Sequence, residues 1–253
     1  MRRGGLRIFP DREALSREAA RRFVAAAKKA VRARGRFTVA FSGGSTPADL
    51  YCLLATSSHR EGLPWDRTHV FWGDERCVPP EDPASNYGAA RALLLLHVPI
   101  PAANVHRMRG EEEPVRAALA YEAELRAVFG LPAGGVPRFD LLLLGLGEDG
   151  HTASLFPGSP VLRETERLVA SPFVEPLSAF RLTLTLPVLN AAREILVLVA
   201  GGGKAAALRE ALEGDRDALP IQQVRSRAGV LTWLVDAAAA ELLRPRGSPP
   251  SPA

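Results

Sequence analysis

Apolar runs alternate along the chain with segments of helical periodicity. The runs at 138–147 and 194–203 are apolar almost throughout, which is typical of strands buried on both faces. Three further runs predict strands at 36–44, 68–76 and 181–186, the last with strict alternation of apolar and polar residues. Helical patterns occupy 13–34, 47–56, 86–96, 114–129, 187–193 and 203–213. This alternation predicts an α/β fold, a Rossmann-like, doubly wound, mostly parallel sheet with helices on both faces.

The chain shows no internal repeat and no linker that would divide it. We therefore expect one α/β domain over residues 1–244, followed by a proline-rich, disordered tail at 245–253. In such sheets ligands bind beyond the carboxyl ends of the strands. Several predicted strands end in glycines or charges, so the loops that follow them are where we look for a site.

Composition narrows the classes of function. The net charge of +4 is carried almost entirely by arginine, interspersed with acids, and this distribution does not indicate a nucleic-acid surface. The two cysteines, Cys52 and Cys77, lie in no metal-binding or disulfide pattern, so no metal is expected. The N-terminus has no apolar signal core and no run reaches membrane-spanning length. We expect a cytoplasmic protein with no membrane partner, and a monomer is favoured.

The loop "FSGGSTPADLY" predicts a phosphate site. Gly43 and Gly44 allow the backbone to turn tightly beside a ligand. Thr46 suits a helix N-cap, with Pro47 at the first helical position and Asp49 as the acid of a capping box. The helix N-terminus would then direct free N–H groups at an anion. The alternative is an ordinary capped helix after a tight turn.

Two basic residues follow other predicted strands. Arg76 ends the run "GDER", and its guanidinium suits phosphate or carboxylate; the alternative is a surface ion pair. Lys204 opens the predicted helix after "AGGG", in a chain whose only other lysines are Lys28 and Lys29. A lysine in a first helical turn opposes the helix dipole, and a neighbouring anion would remove that penalty. An exposed, solubilising lysine is the alternative.

The loop "GLGEDGH" matches G-x-G-x-x-G after an apolar strand, a weak dinucleotide signal. Pro157 interrupts the helix that a nucleotide site would need. Glu148 and Asp149 would also place carboxylates where phosphate should lie, so no dinucleotide cofactor is expected. What remains is Asp149 beside His151, an acid that can orient an imidazole as a general base. The alternative is a structural histidine bonded to the loop backbone.

Taken together, "SGGSTP", "GDER", "SNY", "GLGEDGHTASLFPG", "RLTLTLPVLNAAREILVLVAGGGK" and "RAGVLTWLVDAAAA" resemble the glucosamine-6-phosphate isomerase/6-phosphogluconolactonase family, on its lactonase side. The resemblance runs from about Phe37 to Ala240. It implies hydrolysis of 6-phosphoglucono-1,5-lactone to 6-phosphogluconate in the oxidative pentose phosphate route, without a cofactor. A lactone is already activated, so we expect neither a covalent intermediate nor a metal. The resemblance implies a general base at His151 with Asp149 beside it. The implied substrate- and phosphate-binding residues are Gly44, Ser45, Thr46, Arg76, Lys204 and, more weakly, Arg181.

Two other functions compete with this one. Isomerase-deaminases on the same scaffold are expected to follow the histidine with Asn-Glu-Pro, whereas this chain has residues 153–157 as "ASLFP". They also tend to carry tyrosine in place of Arg76. A non-catalytic sugar-phosphate sensor would keep the phosphate loop but would not need the Asp-Gly-His sequence.

Overall fold

The computed structural model describes residues 5–226 and 229–244. Its main element is a six-stranded, wholly parallel sheet in the order β1-β10-β9-β5-β2-β3. These strands are β1 (Leu6–Phe9), β2 (Phe37–Phe41), β3 (Thr68–Trp72), β5 (Leu141–Leu144), β9 (Glu194–Val199) and β10 (Val230–Asp236). The helices are α1 (Arg12–Arg34), α2 (Ser45–Ala55), α3 (Ser57–Arg60), α4 (Asn86–Leu93), α5 (Pro114–Phe129), α6 (Leu186–Ala191) and α7 (Ala205–Glu213). The predicted fold class is confirmed.

The strand order reverses direction between β2 and β5. From β2 the chain passes outward to the edge strand β3, and from β5 it proceeds the other way through β9 to β10. The loops after β2 and β5 therefore leave the sheet in opposite directions and open a crevice between them, the usual ligand site of such sheets.

A small antiparallel sheet lies beside the main one. It contains β4 (Asp74–Arg76), β6 (Val169–Ala170), β7 (Phe173–Val174) and β8 (Ala179–Leu184). The prediction of one strand over 68–76 was therefore wrong. Gly73 donates its N–H to Phe41 O (2.8 Å) on one side and accepts from Leu184 N (2.8 Å) on the other. The chain leaves the parallel sheet at this glycine and pairs with β8, which also takes the predicted strand at 181–186 out of the parallel sheet.

Helix boundaries differ from the predictions where capping decides them. Helix α1 is capped by Asp11, whose carboxylate accepts from Ala14 N at 2.7 Å, and it ends at Gly35 with φ of 74°. The fifth predicted helix, 187–193, is the short α6, and the third, 86–96, ends at Leu93. Strand β1 was not predicted, because it is a short edge strand with half of its residues exposed. The predicted tail at 245–253 lies outside the described residues.

The core is rich in aromatic rings packed under α1. Phe23, on α1, lies 5.3 Å from Phe37 and 6.5 Å from Trp65, measured between ring centroids. All three side chains are almost fully buried. Burial of one such ring contributes about 1.5–3 kcal/mol, so this cluster fixes α1 against the sheet and holds the strand ends in place.

Candidate active site

The crevice at the reversal point carries an aspartate and a histidine in contact. His151 lies in the loop after β5, and its Nδ1 is 2.5 Å from Asp149 Oδ1. The same carboxylate oxygen accepts the backbone N–H of His151 at 3.1 Å. The Phe156 ring stacks on the imidazole with centroids 4.4 Å apart. The imidazole is thus held at one edge by a carboxylate and on one face by a ring, while about a third of its surface stays open to solvent.

The Asp149 carboxyl is ionised in this arrangement. Partial burial acts to raise the pKa of Asp149, but the hydrogen bond from the His151 backbone and the charge of His151 outweigh it and lower that pKa. An ionised carboxylate at Nδ1 favours the tautomer that carries a proton there. Nε2 is then the free, basic nitrogen of the ring.

Two glycines of this loop, Gly147 and Gly150, are needed for the position of the histidine. A Cβ on Gly147 would lie 2.1 Å from His151 Nδ1 and 2.6 Å from Asp149 Oδ1. Gly150 has φ of 81°, and a Cβ there would collide with the side chain of Leu219. The G-x-G-x-x-G pattern therefore serves a tight turn, closed by Gly147 N–H donating to His151 O at 2.8 Å.

A buried carboxyl, Asp74, lies beside the same crevice. Ser154 Oγ donates to Asp74 Oδ2 at 2.9 Å. Burial raises the pKa of Asp74, while the Ser154 hydrogen bond and the charges of Arg76, His151 and Arg181 act in the opposite direction. The charges of His151, Arg76 and Arg181 thus all act on this one carboxyl. Asp74 therefore lies where the loop after β5 meets the paired strands β4 and β8.

Arg76 and Arg181 are direct cross-strand neighbours. They pair in the register of β4 with β8. Partial burial lowers the pKa of Arg181, and the charge of Arg76 lowers it further. Like charges placed opposite each other destabilise a sheet. A bound anion or a polarised carbonyl oxygen would relieve this repulsion, so the pair is suited to hold one.

Glu75 is a structural residue rather than a site residue. Its carboxylate accepts the backbone N–H groups of Asn86 and Tyr87, both at 2.7 Å, at the start of α4. Asn86 Nδ2 in turn donates to Asp74 O at 2.9 Å. A Cβ on Gly43 would lie 1.8 Å from Asn86 Oδ1. Asn86 therefore joins the glycine loop after β2 to strand β4, which carries Arg76.

Helix α2 begins two residues earlier than the sequence predicted. Gly44, with φ of 99°, is its N-cap and makes no side-chain cap; Ser45 and Thr46 form the first turn. The predicted roles of Thr46 as cap and Asp49 as capping-box acid were wrong, because the positive φ of Gly44 starts the helix and Asp49 pairs with Arg12 instead. The helix N-terminus still opens into the crevice with N–H groups that no helical carbonyl can reach.

Lys204 lies next to the histidine loop. It closes a short 3-10 turn over Gly202–Lys204 and is the N-cap of α7, so the helix opens at Ala205 rather than at the lysine. Its Nζ is 3.7 Å from Glu148 Oε1, a loose and largely exposed pair. The anion expected beside this lysine is therefore the Glu148 carboxylate in the structure as it stands. Asp236 holds the glycine turn by accepting Gly201 N–H at 3.0 Å.

The structure thus places the predicted site residues in two groups. The charges of His151, Arg76 and Arg181 act on Asp74, and Asp149 contacts His151. Gly44, Ser45, Thr46 and Lys204 lie on the loops after β2 and β9, on either side of the β5 loop. The sequence analysis did not select Asp74, Ser154 or Asn86. Asp74 could have been found from its place directly after an apolar strand, whereas Ser154 and Asn86 carry no signal without their partners.

Within residues 5–226 and 229–244, no group of three or more His, Cys, Asp or Glu side chains is placed to hold a metal ion. In the same ranges, no helix is both long enough and apolar enough to cross a bilayer.

Comparison with known proteins identifies the family. The model of the glucosamine-6-phosphate isomerases/6-phosphogluconolactonase family matches residues 10–233. The chain belongs to this family. Among curated proteins, it is 47% identical over 222 residues to the 6-phosphogluconolactonase of Synechocystis sp., covering 86% of this chain and 89% of that protein.

Solved structures agree with this membership. The 6-phosphogluconolactonase of Trypanosoma brucei superposes with a TM-score of 0.85 at 30% identity, covering 96% of this chain and 99% of the other. A monomeric glucosamine-6-phosphate deaminase superposes with a TM-score of 0.78, covering 94% of this chain and 99% of the other. Its identity is only 21%, so that likeness shows the shared fold alone. The predicted family membership is confirmed.

Proposed function

We propose that this protein hydrolyses 6-phosphoglucono-1,5-lactone to 6-phosphogluconate, a step of the oxidative pentose phosphate route. The observation that carries the proposal is the Asp149–His151 pair at the carboxyl end of β5, beside a helix N-terminus suited to phosphate. The expected enzyme class, a 6-phosphogluconolactonase, is confirmed by relatives of that name that cover most of the chain. The assignment of the individual residues is our proposal.

In this mechanism His151 is the general base. Asp149 binds the Nδ1 edge, so Nε2 takes a proton from water and the resulting hydroxide attacks the lactone carbonyl carbon. The carbon then becomes tetrahedral and its carbonyl oxygen becomes negative. As the bond to the ring oxygen breaks, the imidazolium returns its proton to that oxygen, which leaves an open-chain acid. A lactone is already activated, so neither a covalent intermediate nor a metal ion is part of this mechanism.

Arg76 and Arg181 are assigned to the lactone end of the substrate. Their charges act on Asp74 together with that of His151, and the two arginines are paired between β4 and β8, which supports this assignment. A guanidinium beside the carbonyl would stabilise the developing oxyanion. Backbone N–H groups of the loop 145–150 are a second source of donors.

The phosphate end is assigned to the first turn of α2 and to Lys204. The turn from Gly44 to Thr46 offers backbone N–H groups at the positive end of the helix dipole. Lys204 is held only loosely by Glu148, so its charge is free to turn to a phosphate. Anchoring the phosphate would fix the carbonyl near His151, and such orientation is a large part of catalysis.

The isomerase-deaminase alternative has less support at the histidine loop. The residues after His151 place Ser154 on Asp74 and Phe156 on the imidazole, and neither adds a carboxylate. The sensor alternative leaves the ordered contact between Asp149 and His151 without a role. Both alternatives remain outcomes of the test below.

The test is a coupled assay. Glucose-6-phosphate dehydrogenase supplies fresh lactone, and acid release is followed against the spontaneous rate. We expect the wild type to accelerate hydrolysis and His151→Ala to lose about 10²–10⁴-fold in kcat. His59→Ala is the matched control, because among the described residues the His59 imidazole bonds only to the side chains of Thr56 and Ser58. An active His151→Ala enzyme would refute the assignment of the base, and an inactive wild type would refute the proposed function.

A further inference from the structure

Arg12 links the first turn of α1 to the first turn of α2. Its Nη2 donates to Ser45 O at 2.5 Å. Its Nε donates to the carboxylate of Asp49, one turn further along α2. A single guanidinium thus holds two points on α2, and one of them is the carbonyl of the second residue of the loop 44–46.

The start of α2 needs such support from outside. Its N-cap, Gly44, has no side chain, and no side-chain cap is present. A helix whose N-cap makes a side-chain hydrogen bond is typically more stable by about 1 kcal/mol than one without it. On α1, by contrast, Asp11 supplies this bond. The first turn of α2 is therefore held by a residue distant in sequence rather than by its own cap.

The backbone around Arg12 is held in place by its neighbours. The preceding residue, Asp11, caps α1 and also accepts Leu15 N–H through its carbonyl at 3.1 Å. Strand β1, directly before it, is paired along its length with β10. Arg12 is thus the first helical residue after a fixed strand, so its backbone position is set by the sheet.

The positive charge of Arg12 at the N-terminus of α1 does not by itself stabilise that helix. A cation at a helix N-terminus opposes the helix dipole. Asp49 offsets the charge, but both side chains are about 40% exposed and such pairs stabilise little. A role in ligand binding accounts for a cation at this position better than a role in helix stability does.

We propose that Arg12 is a positioning residue for the phosphate loop: it fixes Ser45 and the free N–H groups of the first turn of α2 so that they receive the phosphate of the substrate. This inference rests on the proposed function, which places the phosphate at that turn. Arg12 would act through the backbone of the loop rather than by touching the substrate. Its loss should therefore weaken phosphate binding and leave the chemical step in place.

The experiment measures KM and kcat on the phosphorylated lactone and on unphosphorylated glucono-1,5-lactone. The dissociation constant of 6-phosphogluconate is measured by calorimetry on the same proteins. For Arg12→Ala we expect KM and the dissociation constant to rise about three- to tenfold on phosphorylated ligands. The change in kcat and in the rate on the unphosphorylated lactone should stay within about twofold. Arg12→Lys keeps the charge but cannot fork between the two acceptors, so about half of the loss, on a logarithmic scale, should remain.

Arg17→Ala is the matched control. Arg17 lies on the same helix, and its partner is Glu13 on that helix, so its removal should change none of these values. Thermal unfolding of each variant shows whether the fold is kept, and Arg12→Lys serves if Arg12→Ala unfolds. An unchanged dissociation constant in a folded variant, or an equal loss on both lactones, would overturn the proposal.

Failure of the proposed function would look different. A wild type that binds 6-phosphogluconate but does not hydrolyse the lactone would refute the proposed activity alone, and the Arg12 variants would still be judged by their dissociation constants. A wild type that does not bind 6-phosphogluconate would refute both.

Discussion

Gly147→Ala should disable the histidine without unfolding the protein. The new Cβ would lie 2.1 Å from His151 Nδ1, whereas ordinary van der Waals contact begins at 3.4 Å. The imidazole would therefore have to move by roughly 1 Å or more and lose its short contact with Asp149, since the Cβ also crowds that carboxylate at 2.6 Å. A misplacement of about 1 Å at a catalytic group can cost about 10²-fold in rate. We expect kcat/KM to fall by about that factor.

The coupled lactonase assay measures this fall, and the same loop provides the control. A Cβ on Gly145 meets nothing within 4 Å, and neither Gly145 nor Gly147 has a positive φ. Gly145→Ala should therefore keep near-wild-type activity, and both variants should stay folded by circular dichroism. If folded Gly147→Ala retains activity within about threefold of the wild type, or if Gly145→Ala loses as much, then the geometry of the Asp149–His151 contact does not govern the reaction.

Three further predictions follow. Lys204→Ala should raise KM for the phosphorylated lactone about ten- to a hundredfold and barely affect the unphosphorylated lactone; equal losses on both would place the phosphate elsewhere. EDTA should leave activity unchanged, because the described residues contain no group of three metal-ligating side chains; a loss restored by added metal would contradict this. Burial, together with the charges of His106 and Arg36, lowers the pKa of His69 in the folded protein. As the pH falls, His69 is therefore protonated at a higher pH in the unfolded chain than in the folded protein. The free energy of unfolding should therefore fall as pH drops below about 6.5, and His69→Gln should flatten this dependence in denaturant titrations.

The sequence was most informative where a local pattern has a local cause. The apolar runs at 141–144 and 195–199 are buried throughout, and both lie in central strands of the parallel sheet. The Asp-Gly-His sequence predicted the contact between Asp149 and His151, because two residues separated by one glycine can meet within a single turn. The loop at 42–46 was likewise found from its glycines and from the helix that follows it.

Helix starts were less well predicted, because capping depends on one backbone angle. Thr46 is of a residue type that often caps helices, but the positive φ of Gly44 lets the helix begin at Ser45. Asp49 has the spacing of a capping-box acid, but Arg12, which lies 37 residues earlier, takes its carboxylate. In both cases a tertiary contact or a strained turn overrode the local preference.

The sequence by itself determined the fold class, the family and the two loops that carry the acid-histidine pair and the glycine turn before α2. Buried strands, special glycine conformations and short-range contacts can be recognised in the sequence, because each depends on a periodic pattern or on residues close together in the chain. Only the tertiary structure decided that Arg76 opposes Arg181, that Ser154 donates to Asp74 across 80 residues, and that Arg12 holds the start of α2. These contacts arise from the bend at Gly73 and from antiparallel pairing with β8, or from the packing of α1 on α2. Such non-local pairing depends on the burial and hydrogen bonding of the whole fold, so it cannot be predicted from the residue spacing within one segment.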